Sequence, residues 1–166
     1  MKLYYAETLA PRKACAVAKY LGLPVEYVFV DLKKGEQTAP AYLAINPNGK
    51  VPCLVDGDKS IWEADAIICH LAQRADSRLW PKDARQTDVV RWLSWNSHHF
   101  YRHGGSLYFE YLIKPQIGLG DPDPSAVAEG QGRACFASLP PCSISISGAA
   151  SGWWAMTSRS RTFPSL

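Results

Sequence analysis

Two stretches hold residues whose types and spacing could do chemistry. They are Asn46-Pro-Asn-Gly-Lys-Val-Pro-Cys-Leu54 and, a few residues later, Trp62-Glu-Ala-Asp-Ala-Ile67. In the first, Pro52 stands one step into an apolar run (Val51, Cys53, Leu54, Val55) and cannot donate to a sheet ladder, so it belongs at a strand's first residue or edge. Gly49 and the Asn-Pro and Asn-Gly pairs supply the turn before it. A cis Val51–Pro52 bond would present the backbone N–H and C=O of Val51 outward, as a clamp for a peptide. In the second stretch Glu63-Ala64 opens an amphipathic helix, whose free N–H groups can take a carboxylate. Clamp and anion hole together point to a small acidic peptide as ligand. Either half alone also reads as a turn entering a strand, or as an acidic first helical turn.

The elements that must position these residues follow from local periodicity. Lys2-Leu-Tyr-Tyr-Ala6 reads as a short strand. Thr8 can cap a helix over 11–21, with Ala14, Cys15, Val17, Ala18 and Leu21 on one stripe and Gly22 closing it. Residues 25–30 read as a buried strand, giving a βαβ unit and a parallel pair. A polar loop over 31–38 and a short helix over 40–45 come next. The Val51 strand and Lys59-Ser-Ile-Trp62 form a hairpin around Asp56-Gly57. The helix from Glu63 to about Arg74 buries Ala66, Ile67, Cys69, His70 and Leu71, with His70 a packed or rim histidine.

The bulk properties narrow the field. A chain of 166 residues suits one domain, or one small domain and part of a second. A formal charge of +3, with no basic block carrying interleaved aromatics, argues against nucleic acid as partner. Five cysteines (Cys15, Cys53, Cys69, Cys135, Cys142) show no CxxC and no metal-ligand spacing, so no metal is expected. Three of them sit in apolar contexts, as in a reducing compartment. No run approaches the ~20 apolar residues of a membrane span, and the N-terminus enters a strand directly. The expectation is a cytoplasmic protein with no membrane partner.

The order βαβ, short helix, ββα, with a proline opening the third strand, is a thioredoxin-like arrangement. With Asn46-Pro-x-Gly-Lys-Val-Pro-x-Leu54, Glu63-Ala-x-Ala-Ile67 and Leu79-Trp-Pro81 in that order, residues 1–80 resemble the N-terminal domain of a soluble, bacterial-type glutathione S-transferase. The resemblance implies an α/β thioredoxin-like domain over 1–80, and after a linker an all-α domain, here partial over 81–133. It implies glutathione as co-substrate, a small electrophilic and mostly apolar second substrate, and a homodimer. Val51 and Pro52 would hold the cysteinyl backbone, Glu63 and Ala64 the γ-glutamyl end, and Lys50 would lie near the glycine carboxylate or a neighbouring polar group. The family usually has Ser where Ala64 stands, so one donor of ~0.5–1.5 kcal/mol is missing.

Catalysis in this family lowers the glutathione thiol pKa with a hydroxyl or thiol donor at the first helix's start. The resemblance places Thr8 there, with Tyr5 as second choice and a plain helix cap as the other reading of Thr8. Glu7 would raise a neighbouring thiol pKa. Residues 85 to about 112 read as one long helix that breaks near Gly104-Gly105. Its His98, Tyr101 and Tyr108, with Trp95 and His99, could line the second-substrate cleft, or be core or dimer interface. A helix start follows at Ser125 with Glu129. Two rival functions stand beside the transferase: a non-catalytic binding or interaction module, and a thiol–disulfide oxidoreductase, against which the missing CxxC counts.

The helical pattern collapses after Glu129. Residues 134–166 contain no Asp or Glu and no helical period, which fits a disordered tail except for Trp153-Trp154 and the isoleucines. A shifted reading frame accounts for it better. Read from the third base of Trp153, Trp153-Trp-Ala-Met-Thr157 forces Val, Gly and a later Asp, and the codons onward permit Val-Gly-Asp-Asp-Leu-Thr-Ile-Ala-Asp-Phe-Ser. That string resembles the Thr-capped helix motif of the family's last third. The expectation is a frame slip near 130–133 and a second domain lacking its remaining helices, which leaves the long helix's apolar face uncovered and prone to aggregation. Resequencing must find codons that spell this motif out of frame.

Overall fold

The computed structural model describes residues 1–116 and 118–132, all within one compact unit, Met1–Cys135. The tail and its reading-frame signature fall on 134–166, outside the described residues. Four short strands, β1 (Lys2–Tyr5), β2 (Glu26–Phe29), β3 (Cys53–Asp56) and β4 (Lys59–Trp62), make one sheet in the order β2-β1-β3-β4. β1 and β2 run parallel, and β3 pairs antiparallel with β1 and β4. Helices α1 (Leu9–Tyr20), α2 (Pro40–Leu43) and α3 (Ala64–Arg74) complete the thioredoxin-like layer structure.

Side-chain alternation along the strands sorts the core onto two faces. On one, Cys53 packs with Val30 and Tyr42, joined by Tyr4, Leu32, Ile45 and Val51. On the other, Leu3 and Leu54 stand opposite each other in the β1–β3 register, both fully buried. There α1 buries Ala14, Val17 and Ala18, and α3 buries Ala64, Ile67, Ile68, Leu71 and Ala72. Ala66, expected in that stripe, is exposed, because the helical period carries position 66 away from Ile67 and Leu71.

His70 is a rim residue with a partner. Its Nε2 lies 2.9 Å from Asp56 Oδ2, and Arg74 Nη1 lies 3.3 Å from the same oxygen, clasping the β3–β4 turn to α3. Asp56 is held below the ordinary carboxylate range, chiefly by the hydrogen bond with His70, with the Arg74 charge adding to it. A depressed folded-state pKa stabilises above the unfolded carboxylate's pKa of ~3.9 and is lost as pH falls through the lower, folded value. The stability gap between wild type and Asp56→Asn should therefore hold steady near pH 5 and shrink below ~4. Denaturant midpoints between pH 5 and 2 check this, and a gap that widens toward acid contradicts the clasp.

Residues 85–116 are helical without interruption: α4 (Arg85–Trp95), a π-helical stretch (Asn96–Gly105), α5 (Ser106–Tyr108), a second π stretch (Phe109–Ile113) and α6 (Lys114–Gln116). The expected break at Gly104-Gly105 is replaced by π hydrogen bonding. A Cβ at Gly105 would sit 3.3 Å from the Tyr101 ring, so the glycine makes room for that ring. The last helix, α7 (Pro124–Gly132), is capped by Asp123 rather than Ser125. Asp123 Oδ1 accepts from Ser125 N at 2.8 Å and from Ser125 Oγ at 2.5 Å. Glu110, 9% exposed at its side chain, takes Lys114 Nζ and the Asp123 N–H and so ties this loop to the long helix. No helix among the described residues is long and apolar enough to cross a membrane.

Candidate functional site

The turn entering β3 is built from its carbonyls outward. Asn46, buried to 1% exposure, donates through Nδ2 to the Lys50 carbonyl at 2.6 Å and accepts the Asn48 N–H at 3.1 Å. Tyr42 Oη donates to the same Lys50 carbonyl at 2.7 Å. Gly49, at φ +59, takes the left-handed conformation the turn needs and lies close against the Gln37 carbonyl. The Val51–Pro52 peptide is cis.

Across from this turn, Glu63 occupies the N-cap of α3 at φ 70, a conformation that non-glycine residues rarely adopt. Strain of this kind costs of order 1–3 kcal/mol and collects at functional sites. Behind it, Asp65 pairs with Lys13 of α1, and Ser97 Oγ donates to Asp65 Oδ2 at 2.8 Å. Lys13 and Asp65 are each about a quarter exposed at their side chains. One ion pair thus draws α1, α3 and the start of the π stretch together.

These groups enclose a cavity of about 250 Å³, lined by Lys50, Val51, Pro52, Glu63, Ala64 and Tyr101 among others. All five residues expected to hold the peptide come together there. Of the three expected for a second substrate, Tyr101 reaches it. Burial, and then the charge of Glu63, raises the Tyr101 phenol pKa. The π turn puts Asn96 and Tyr101, five residues apart, on the cavity together, with Ser97 beside Asn96. His98 turns away, its Nδ1 2.9 Å from the Ser94 carbonyl, and Tyr108 accepts from Arg12 Nη1 at 3.2 Å. Neither is among the cavity's lining residues.

The two thiol-activation candidates are also placed. Thr8 is the N-cap of α1 in extended conformation, half-buried, with no side-chain cap hydrogen bond. Its hydroxyl is thus not engaged in capping, two residues before the cavity-lining Ala10. Tyr5 shares the face of Leu3, and its ring packs edge-on against Tyr27 and Phe29 at 6.3 and 5.7 Å, so it is not brought to the cavity. The described cysteines offer no alternative nucleophile. Burial pushes Cys15, Cys53 and Cys69 each up to about 11, and a thiol needs its thiolate to react. Reading the sequence missed Lys13, Asp65, Asn96 and Ser97, and in Asn46 it saw a turn residue only.

The family sequence model described as "Glutathione S-transferase, N-terminal domain" matches residues 1–73. Residues 1–73 belong to that domain family. The chain is 37% identical over 128 residues to Glutathione S-transferase 3 of Zea mays, covering 74% of this chain and 57% of that one. The chain thus spans less than two thirds of that relative's length. Among solved structures, glutathione transferase F7 from Populus trichocarpa superposes with a TM-score of 0.73 at 24% identity, over 82% of this chain and 67% of that one, a likeness of fold. Ure2p in complex with glutathione superposes with a TM-score of 0.67 at 28% identity, over 81% of this chain and 64% of that one.

Proposed function

We propose that this chain binds glutathione in the cavity between the Val51 turn and the α3 N-terminus and conjugates it, through its thiolate sulfur, to a small, mostly apolar electrophile. The observation that carries this reading is the convergence of Lys50, Val51, Pro52, Glu63 and Ala64 on one cavity, in a domain of the glutathione S-transferase family. Val51, before the cis proline, offers the backbone N–H and C=O that a cysteinyl residue can pair with. Glu63, the α3 N–H groups and the Lys13–Asp65 pair offer both signs of charge to the zwitterionic γ-glutamyl end. The Thr8 hydroxyl donates to the thiolate, which attacks the electrophilic carbon. A C–S bond forms as the leaving group departs with its electron pair, and the thiol proton goes to solvent. Tyr101 supplies part of the apolar wall, and the active form is a homodimer.

The second reading is a glutathione-binding module without catalysis. It is favoured by Ala64, which lacks a hydroxyl, and by Thr8 lying outside the cavity's lining. Titration calorimetry with glutathione, followed by a conjugation assay with an activated aryl halide, separates the two. Binding with turnover supports the transferase, binding without turnover supports the module, and no binding removes both. Elution volume on size exclusion checks the dimer.

A further inference from the structure

Two buried hydrogen-bond donors from different elements converge on one backbone oxygen beside the cavity. Tyr42 Oη comes from α2, and Asn46 Nδ2 from the turn after it; both reach the Lys50 carbonyl, at 2.7 and 2.6 Å. Both residues are almost fully buried, at 6% and 1% exposure, so each polar side chain must find its partner inside the protein. The orientation of the Asn46 amide follows from chemistry: Nδ2 faces an acceptor, and Oδ1 faces the Asn48 N–H. Burial holds the Tyr42 phenol up at about 12, so its hydroxyl stays a donor throughout the physiological range.

The Lys50 carbonyl and the Val51 N–H belong to the same planar peptide. Fixing the oxygen therefore fixes the direction in which the Val51 N–H points. We infer that Tyr42 and Asn46 are positioning residues, which hold the Lys50–Val51 peptide plane so that Val51 presents its backbone to the ligand without rearrangement. This deepens the glutathione reading and rests on it for the ligand's identity. Its geometric half concerns the empty protein. Two donors on one carbonyl restrain rotation of that peptide more than either alone, and the restraint lowers the ordering cost of binding.

The test uses Tyr42→Phe, which deletes one oxygen and keeps the ring, and Asn46→Asp, which sets a carboxylate oxygen against the Lys50 carbonyl while keeping an acceptor for Asn48. Val30→Ala, in the same apolar cluster, is the packing control. Two readouts are taken well below every unfolding midpoint: the Val51 amide resonance in ligand-free protein, and glutathione affinity by calorimetry. The expected result is a shifted and broadened Val51 signal in both test variants and a clearly smaller change in Val30→Ala. Affinity should fall about three- to tenfold in Tyr42→Phe, the worth of one neutral hydrogen bond. An unmoved Val51 signal, or equal changes in Val30→Ala, overturns the inference. A Val51 signal that shifts in protein that never binds glutathione refutes the proposed ligand and leaves the positioning role standing.

Discussion

Thr8→Val lowers the conjugation rate about a hundredfold while glutathione affinity stays within about twofold. Removing one donor aimed at a developing or resting anion typically costs 10²–10³ in kcat. Valine matches threonine in shape, so packing is kept. Stability is a clean control here for a structural reason. An N-cap threonine that bonds the helix end is worth ~0.5–2 kcal/mol, but the Thr8 side chain makes no such bond, so the unfolding midpoint should barely move. The pH–rate profile sharpens the test. In the variant it should rise with the thiolate of a free thiol, near ~8.5, whereas in wild type it should rise at lower pH. Equal rates and coincident profiles would remove Thr8 from the mechanism.

The second large effect is on stability. Leu54 is fully buried in β3, opposite Leu3 of β1 and Ile61 of β4. Leu54→Ala takes methyl groups out of the sheet's covered face and leaves a cavity in a layer fixed by two neighbouring strands. The cost is about 2–5 kcal/mol, seen as a fall of roughly 10 °C in the unfolding midpoint. Leu54 stands two residues after Pro52, so glutathione affinity should weaken as the first turn of β3 loosens. Phe29→Ala, at a residue 53% exposed, is the comparison. If both cost less than ~1 kcal/mol, the assignment of Leu54 to the core fails.

Local patterns carried most of the sheet and the first three helices. Apolar stripes of period 3.6 marked α1 and α3, and the Asp56-Gly57 turn marked the hairpin. Val51-Pro52 and Glu63-Ala64 were legible because turn chemistry and a helix start each leave a signature in a few adjacent residues. Lys13, Asp65 and Ser97 left none. They meet only because α1, α3 and the π stretch pack together, and each alone is an ordinary charged or polar surface residue. Tyr5 shows the cost of choosing by chemistry without parity: it lies two residues from the buried Leu3, and that spacing places it on the α1 face. The π register over Asn96–Gly105 has no sequence code of its own, so the glycines read as a break. Asp123 was overlooked as a cap because Ser125 offered the more familiar pattern.

Gly130 sets how close α7 comes to the long helix. A Cβ there would lie 2.8 Å from Leu107 Cγ and 3.3 Å from the His103 carbonyl, so α7 reaches the long helix only because this residue has no side chain. Glycine fills roughly 7% of positions in an average protein, and a scrambled frame would seldom place one at a contact this close. A slip beyond its codon would leave this contact intact, so the nucleotides from the codon of residue 130 onward are the ones to resequence.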